Sequence, residues 1–217
     1  MMDYIQPYLF AETGHQIVCH LVCGISLGGH AAWQCILQES RVKAGISIIG
    51  CPDYAHLMLD RAQLSKLDID SEESFFGSRY FPTTLLEAID KHDPAGTITR
   101  GLYDLNPSRN FIELFRNPNA QSLMEARLRQ KVQGKAFLSL SGADDKLVPY
   151  RCSEGFVDWL SDTVTTRGVA AKFDFQNKVF EGVGHALSPD MAKEVDRFVV
   201  AFLSGSQGVL GFKNSRI

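Results

Sequence analysis

The stretch GISLGGH places one serine, Ser26, between Gly24 and Gly28, directly after an apolar run. A chain that turns sharply from a strand into a helix while presenting a side chain needs glycines around the turn, because Cβ atoms there would collide. The backbone N–H of Leu27 would then lie at the helix start, placed to donate to a developing oxyanion. The pattern therefore indicates nucleophilic attack by Ser26 on a carbonyl group. Packing glycines beside an incidental serine are the alternative.

Two downstream loops carry the residue types that activate a serine. The hydroxyl needs a base to take its proton, and the base needs an acceptor that holds it in one tautomer. Asp144 and Asp145 follow the third strand-like run of the chain, and His185 follows the fourth. Loops at the carboxyl ends of parallel strands share one edge of the sheet, so Ser26, an aspartate and His185 are expected to converge there. The alternative for His185 is a packed or solvated side chain.

Strand-like and helix-like segments alternate around these loops. Apolar runs predict buried strands at 16–24 and 42–49, and strand periodicity predicts two more at 136–141 and 172–181. The first run has the character of a central parallel strand that is buried on both faces. Helices are predicted at 3–12 and 28–38, and a last helix follows Ser188 and Pro189, which suit its N-cap and first position. The alternation predicts an α/β fold with a mainly parallel sheet flanked by helices.

A long middle block of the chain changes character. Helix-like pieces follow one another at 54–67, 83–91, 108–115 and 121–132, separated by prolines. The block 52–134 is predicted to form a helical cap insertion above the carboxyl end of the sheet, where such folds bind ligands. The core is then discontinuous, formed by 1–51 and 135–204. Residues 205–217 lack periodicity and are predicted to form a flexible tail.

Three segments carry a family resemblance. GISLGGHAAW, SGADDKLVPY and EGVGHALSP together resemble the α/β-hydrolase superfamily, and the match is spread over most of the chain. In that family the nucleophile, acid and histidine follow the fifth, seventh and eighth strands of the sheet. The resemblance implies Ser26 as nucleophile, His185 as base and the Leu27 N–H as oxyanion donor. The family's G-x-x-D-x-x-V-P arrangement implies Asp145 as the acid, with Asp144 as the alternative.

The chain departs from the family pattern before Ser26. Family members normally have four strands ahead of the nucleophile strand, whereas only about fifteen residues precede the run 16–24 here. The first strands of the fold, and the loop that usually supplies a second oxyanion donor, are therefore expected to be missing. Loss of one donor typically costs about 10²–10³ in turnover. An apolar strand left at an open edge favours pairing with a second copy of the chain.

The resemblance implies hydrolysis of a carboxylic ester through an acyl-enzyme. A serine peptidase of the prolyl-oligopeptidase type is the alternative enzyme, because its catalytic domains also favour a G-x-S-x-G-G elbow. A truncated, non-catalytic protein that binds a ligand or a partner is the alternative outside catalysis. No cofactor and no metal are expected in any of these cases.

Other conspicuous residues have structural explanations. Cys19 and Cys23 lie four residues apart and are expected to be buried thiols rather than metal ligands. Cys51 and Cys152 flank loops near the predicted site without the histidine or acid pattern of a cysteine nucleophile. The aromatic cluster at 75–81 is expected either to line an acyl-binding cleft or to pack the inserted helices onto the core.

Composition limits the function classes further. The 217 residues are 45% apolar and 22% charged, which predicts one globular domain, and the net charge of -3 gives no reason to expect nucleic acid or an acidic membrane as partner. No apolar run approaches the roughly 18 residues of a membrane span, and the first residues lack the features of a signal peptide. Five irregularly spaced cysteines indicate a reducing compartment. A cytoplasmic protein acting on a small acyl substrate is predicted.

Overall fold

The computed structural model describes residues 2–12, 14–69, 75–102, 111–165, 167–168 and 172–209. Four parallel strands form its sheet in the order β1-β2-β3-β4. They are β1 (His20–Ile25), β2 (Val42–Ile48), β3 (Ala136–Gly142) and β4 (Asp174–Phe180). The described helices are α1 (Met2–Phe10), α2 (Leu27–Gln38), α3 (Tyr54–Leu64), α4 (Thr83–His92), α5 (Pro94–Thr99), α6 (Phe111–Arg116), α7 (Pro118–Val132), α8 (Arg151–Thr165) and α9 (Pro189–Val209).

Helices cover both faces of this sheet. On one face, Trp33 of α2, Met124 of α7 and Phe156 of α8 surround Phe137 of β3, all of them fully or almost fully buried. On the other face, Met191 and Phe198 of α9 pack with alternate residues of β2 and β3. Parallel sheets need this double cover because their strands are apolar on both sides. The predicted α/β class with a parallel sheet flanked by helices is confirmed.

Helix α9 forms for the reasons that the sequence indicates. The Ser188 hydroxyl accepts a hydrogen bond from the Met191 N–H at 3.2 Å, which satisfies one orphan donor of the first turn. The apolar stripe that faces the sheet consists of Met191, Val195, Phe198, Val199 and Phe202. The helix continues to Val209, so 205–209, predicted as tail, is helical, and 210–217 lies outside the described residues.

Strand β1 differs from its predicted character. It begins at His20 rather than at residue 16, and it lies at one edge of the described sheet. Val22 packs into the α2-side core, whereas Leu21, Cys23 and Ile25 on the opposite face are exposed, because α9 packs on β2 and β3. The predictions of burial on both faces and of buried thiols were therefore wrong for the described chain, whereas the expected open edge is the position that β1 takes in the described sheet. Pairing with a second copy through this edge stays a prediction.

The middle block divides between two packing environments. Leu59 of α3 and Ile89 of α4 pack with Phe75 and Phe81 in a separate apolar cluster. Helices α5, α6 and α7 instead contribute to the core on the α2 face of the sheet. The boundaries of the predicted cap insertion, 52–134, stay a prediction, and part of its piece 108–115 lies outside the described residues. Helices α5 and α8 were not predicted.

No described helix combines the length and the apolar character that crossing a bilayer requires. The described residues also bring together no group of three or more side chains of the types that bind metals.

Lys135 joins the end of α2 to the start of β3. Its ammonium group donates to the carbonyl oxygens of Ile36 and Glu39 at 2.5 and 2.9 Å, so it satisfies acceptors that the end of a helix leaves open. Only 6% of the residue is exposed. Burial, with a smaller effect of the Lys43 charge, lowers the pKa of Lys135 from 10.5 to about 8.

The buried amine predicts a pH dependence of stability. Between the folded pKa of about 8 and the unfolded value of 10.5, the unfolded chain binds more protons, so wild type gains stability as pH rises. We expect the unfolding free energy of wild type minus that of Lys135→Met to be larger at about pH 9.5 than at about pH 7.5 in urea titrations. Lys91→Met, which removes an exposed charge, gives the baseline. If the difference in unfolding free energy between wild type and Lys135→Met is unchanged or smaller at the higher pH, the lowered pKa of Lys135 is contradicted.

Candidate active site

Ser26 occupies the turn between β1 and α2 in a strained backbone conformation. Its φ of 55° and ψ of -117° lie outside the regions that side chains usually adopt. The Ser26 N–H donates to the carbonyl oxygen of Ile48 at the end of β2, at 2.9 Å. The Ser26 carbonyl accepts from the His30 N–H at 3.1 Å and so begins α2. The strained residue is therefore held by the sheet on one side and by the helix on the other.

The glycines around Ser26 are not equivalent. A Cβ added to Gly24 would lie 1.9 Å from the carbonyl oxygen of Gly28, a distance that no relaxation of a side chain can relieve. A Cβ on Gly29 would lie 2.9 Å from the Ile48 carbonyl oxygen, so α2 approaches the sheet closely there. A Cβ on Gly28 would meet nothing within 4 Å. The prediction that glycine is needed on both sides of Ser26 to avoid a collision was right for Gly24 and wrong for Gly28.

Asp145 lies in the loop after β3 with both carboxylate oxygens occupied. Oδ1 accepts from the N–H groups of Leu147 and Val148 at 2.8 and 2.9 Å, and Oδ2 lies 2.8 Å from His185 Nδ1. The residue is only 4% exposed. The neighbouring Asp144 is exposed, and its N–H donates to the Val183 carbonyl oxygen. Of the two aspartates that the sequence left open, the structure brings Asp145 to the histidine.

His185 connects Asp145 to the serine. Its Nε2 lies 2.8 Å from Ser26 Oγ. An ionised carboxylate only accepts hydrogen bonds, so Asp145 favours the tautomer with the proton on Nδ1 and leaves Nε2 free to accept from the hydroxyl. The loops after β3 and β4 meet closely because Gly142 lacks a Cβ, which would lie 2.2 Å from the Val183 carbonyl oxygen. The three predicted side chains are thus joined by two hydrogen bonds.

The backbone N–H of Leu27 is a free donor beside the hydroxyl. Leu27 is the first residue of α2, and no described residue accepts from its N–H. The first N–H groups of a helix have no intrahelical acceptor, and the helix dipole makes this end favourable for negative charge. The donor therefore has the properties that an oxyanion site requires, at the position that the sequence predicts.

A cavity of about 180 Å³ opens beside Ser26. It is lined by Ser26, Leu27, His30, Cys51, Tyr54, Leu57, Arg61 and Val148. A larger cavity of about 650 Å³ lies between α3, α6 and α8, but Ser26 is not among the residues that line it. The smaller cavity is therefore the one in contact with the hydroxyl.

A buried acid–imidazole pair lies next to the smaller cavity, which His30 lines. His30 Nε2 lies 3.2 Å from Asp93 Oδ1, and Asp93 also accepts from the backbone N–H groups of Tyr54 and Gly96. Burial raises the pKa of Asp93, and the hydrogen bond from His30 opposes that rise. Sequence reasoning missed this pair because His30 lies on α2 whereas Asp93 lies between α4 and α5, far along the chain. The only local signal was Asp93 followed by Pro94, which is typical of a helix start.

Buried cysteines lie close to the site but are not nucleophiles. Cys51 and Cys152 pack together with Leu57 beneath α3. Burial raises the pKa of Cys152 to about 12 and that of Cys51 well above its usual range. Burial therefore disfavours the nucleophilic thiolate form at both positions.

The aromatic cluster at 75–81 packs helices rather than lining the cavity beside Ser26. The rings of Phe75, Phe76 and Phe81 contact one another with centroids 5.1–5.3 Å apart. They lie against α3 and α4, and none of them lines the cavity in contact with the hydroxyl. The surroundings of the cluster therefore favour packing between helices over the lining of an acyl-binding cleft.

Comparisons with known proteins find similarity only among solved structures. No protein-family model matches the chain, and a search of curated proteins finds no significant match. Acylaminoacyl peptidase of Pyrococcus horikoshii is 19% identical over 86% of this chain, at a TM-score of 0.44. Esterase PE8 is 16% identical over 92%, and SOBER1 of Arabidopsis thaliana is 14% identical over 93%, both at a TM-score of 0.44.

These neighbours are members of the α/β-hydrolase family, which the sequence motifs also resemble. The chain spans 23% of the peptidase, 58% of the esterase and 61% of SOBER1. At TM-scores below 0.5 the likeness carries no conclusion about activity. The fold class follows from the chain's own parallel sheet.

The two glycines at the turn predict opposite effects of the same substitution. Gly24→Ala forces a backbone collision and is expected to lower the melting temperature strongly or to prevent folding. Gly28→Ala places a methyl group in open space on a helix, where alanine is favoured over glycine by about 1 kcal/mol, and is expected to leave stability unchanged or slightly raised. Thermal unfolding followed by circular dichroism compares the two. Equal effects would contradict the steric account of this turn.

Proposed function

We propose that this protein is a serine hydrolase that cleaves carboxylic esters of small molecules through an acyl-enzyme. The observation that carries the proposal is the pair of 2.8 Å contacts that joins Asp145 to His185 and His185 to Ser26. Such a chain of hydrogen bonds gives a hydroxyl both a base and an oriented tautomer of that base. The free Leu27 N–H supports the proposal further, because it lies beside the attacking oxygen.

Acylation begins at the Ser26 hydroxyl. Its oxygen attacks the ester carbonyl carbon while His185 Nε2 takes the proton, and Asp145 stabilises the imidazolium that forms. The carbonyl oxygen becomes negatively charged and accepts a hydrogen bond from the Leu27 N–H. The tetrahedral intermediate then expels the alkoxide, which takes the proton from His185 Nε2 and leaves as the alcohol. The acyl group remains on Ser26 Oγ.

Deacylation repeats the sequence with water. His185 Nε2 takes a proton from a water molecule as its oxygen attacks the acyl carbon, and the oxyanion again lies against the Leu27 N–H. The intermediate expels Ser26 Oγ, which regains its proton from His185, and the carboxylic acid is released. Asp145 keeps the imidazole oriented in both steps. Its own side chain cannot turn easily, because two backbone N–H groups hold its other carboxylate oxygen.

Covalent labelling with a fluorophosphonate probe tests the nucleophile. Wild type is expected to be labelled and to hydrolyse p-nitrophenyl acetate, and Ser26→Ala is expected to lose both properties, because the oxygen that forms the covalent bond is absent. Ser122→Ala removes an exposed hydroxyl of α7 and serves as the matched control, with full labelling expected. A folded wild-type protein without label or turnover would contradict the proposal and favour the non-catalytic binding alternative.

The neighbouring aspartates give a matched pair of variants. Asp145→Asn replaces the acceptor of His185 Nδ1–H and is expected to lower kcat by about 10⁴-fold, the effect of a wrong imidazole tautomer. Asp144→Asn changes an exposed side chain and is expected to leave kcat within about threefold of wild type. Hydrolysis of p-nitrophenyl acetate measures both, with circular dichroism to verify folding. A larger loss in Asp144→Asn than in Asp145→Asn would reassign the acid.

A further inference from the structure

The cavity beside Ser26 lies on the side where the acyl part of a substrate must bind. The leaving group has to receive a proton from His185, so it lies next to the imidazole. His185 is not among the residues that line the cavity, whereas Ser26 and Leu27 are. If the proposed esterase mechanism holds, the cavity therefore receives the acyl group.

The volume of this cavity limits the length of the acyl group. Sites for drug-sized ligands measure roughly 300–1,000 Å³, whereas this cavity measures about 180 Å³. Its apolar lining comes from the side chains of Leu57, Val148 and the buried Cys51. A short chain of a few carbon atoms fills such a space, and a long fatty acyl chain does not fit.

Arg61 brings a positive charge to the opening of the cavity. It lies on α3, is exposed, and lines the same cavity as Ser26. One guanidinium N–H donates to the Leu147 carbonyl oxygen at 2.8 Å, in the turn that also holds Asp145. A guanidinium has five N–H donors in a planar fork, so this single contact leaves donors for an anion.

The carboxylates around the cavity already have partners. Asp93 is paired with His30, Asp53 with His56, and Asp145 with His185. Asp60, which precedes Arg61, accepts two hydrogen bonds from Arg151 at 2.8 and 2.9 Å. None of the described carboxylates forms an ion pair with Arg61, and a guanidinium is suited to bind both oxygens of a carboxylate at once.

We infer that Arg61 is a specificity residue that binds a carboxylate at the far end of the acyl group. Preferred substrates are then half-esters of short dicarboxylic acids. This inference rests on the proposed function and adds a substrate class to it. The apolar wall contacts the methylene groups, the guanidinium binds the terminal carboxylate, and the ester carbonyl lies between Ser26 and the Leu27 N–H.

Two esters that differ only at the end of the acyl chain test the inference. Monoethyl glutarate and ethyl pentanoate have acyl groups of the same length, and a carboxylate in the first replaces a methyl group in the second. Ethyl esters are chosen because the free carboxylate of an activated aryl glutarate attacks its own ester. We expect wild type to show a kcat/KM at least about tenfold higher for monoethyl glutarate, with ethanol release followed by NMR.

Variants of Arg61 separate specificity from structural support. Arg61→Gln is expected to raise the KM for monoethyl glutarate about tenfold or more, with ethyl pentanoate turnover within about threefold of wild type. Arg61→Lys keeps the charge without the planar fork and is expected to retain part of the preference. Lys146→Gln removes an exposed positive charge from the turn after Asp145, outside the cavity lining, and is expected to keep the full preference.

The outcomes distinguish this inference from the function on which it rests. If Ser26-dependent hydrolysis of p-nitrophenyl acetate is present but wild type treats both ethyl esters alike, the inference is wrong and the function stands. The inference is also wrong if Arg61→Gln keeps the preference for monoethyl glutarate. An equal fall in kcat for both esters in this variant overturns it too, because Arg61 would then only hold α3 to the 145–148 turn. Absence of any Ser26-dependent hydrolysis overturns the function and the inference together.

Discussion

The hydrogen bond between Asp145 Oδ2 and His185 Nδ1 is the contact on which the candidate site depends. A buried carboxylate is costly unless its oxygens are saturated, and here two backbone N–H groups and one imidazole satisfy it. The same contacts restrict the Asp145 side chain to one orientation and hold the His185 ring. The loops that carry the two residues leave adjacent parallel strands at the same edge of the sheet, and they meet because Gly142 permits close approach.

Strain at the nucleophile is balanced by the regular structure around it. Ser26 adopts a positive φ, which costs on the order of 1–3 kcal/mol for a residue with a side chain. Its backbone N–H is fixed to β2 and its carbonyl to α2, so the surrounding elements over-determine the conformation. The result is a hydroxyl that stands clear of the sheet within 2.8 Å of its imidazole partner. An ordinary negative φ at Ser26 would turn its hydroxyl oxygen away from His185 Nε2.

Sequence reasoning succeeded where short-range patterns decide the structure. Ser26, Asp145 and His185 each lie in a segment that follows a parallel strand, and this placement brings them to the same edge of the sheet. Helix α8 was missed although Phe156, Trp159 and Leu160 have helical spacing, so that signal was present in the sequence. The short helix α5 offered too few residues for a periodic pattern.

Long-range features of the fold were beyond such patterns. An apolar run predicts a strand, but its burial depends on which elements pack beside it, so the exposure of one face of β1 could not be read from its own residues. The pairing of His30 with Asp93 depends on how α2 packs against the start of α5, which no local spacing encodes. The cavity and its Arg61 follow from the same tertiary packing.

The division of the middle block between two apolar clusters has an evolutionary consequence. Residues of α3 and α4 share an apolar cluster with Phe75 and Phe81, whereas α5, α6 and α7 share the core of the sheet. A lineage can therefore vary the residues of this cluster, and with them the position of α3 beside the cavity that Ser26 lines, while the core of the sheet keeps its own packing constraints.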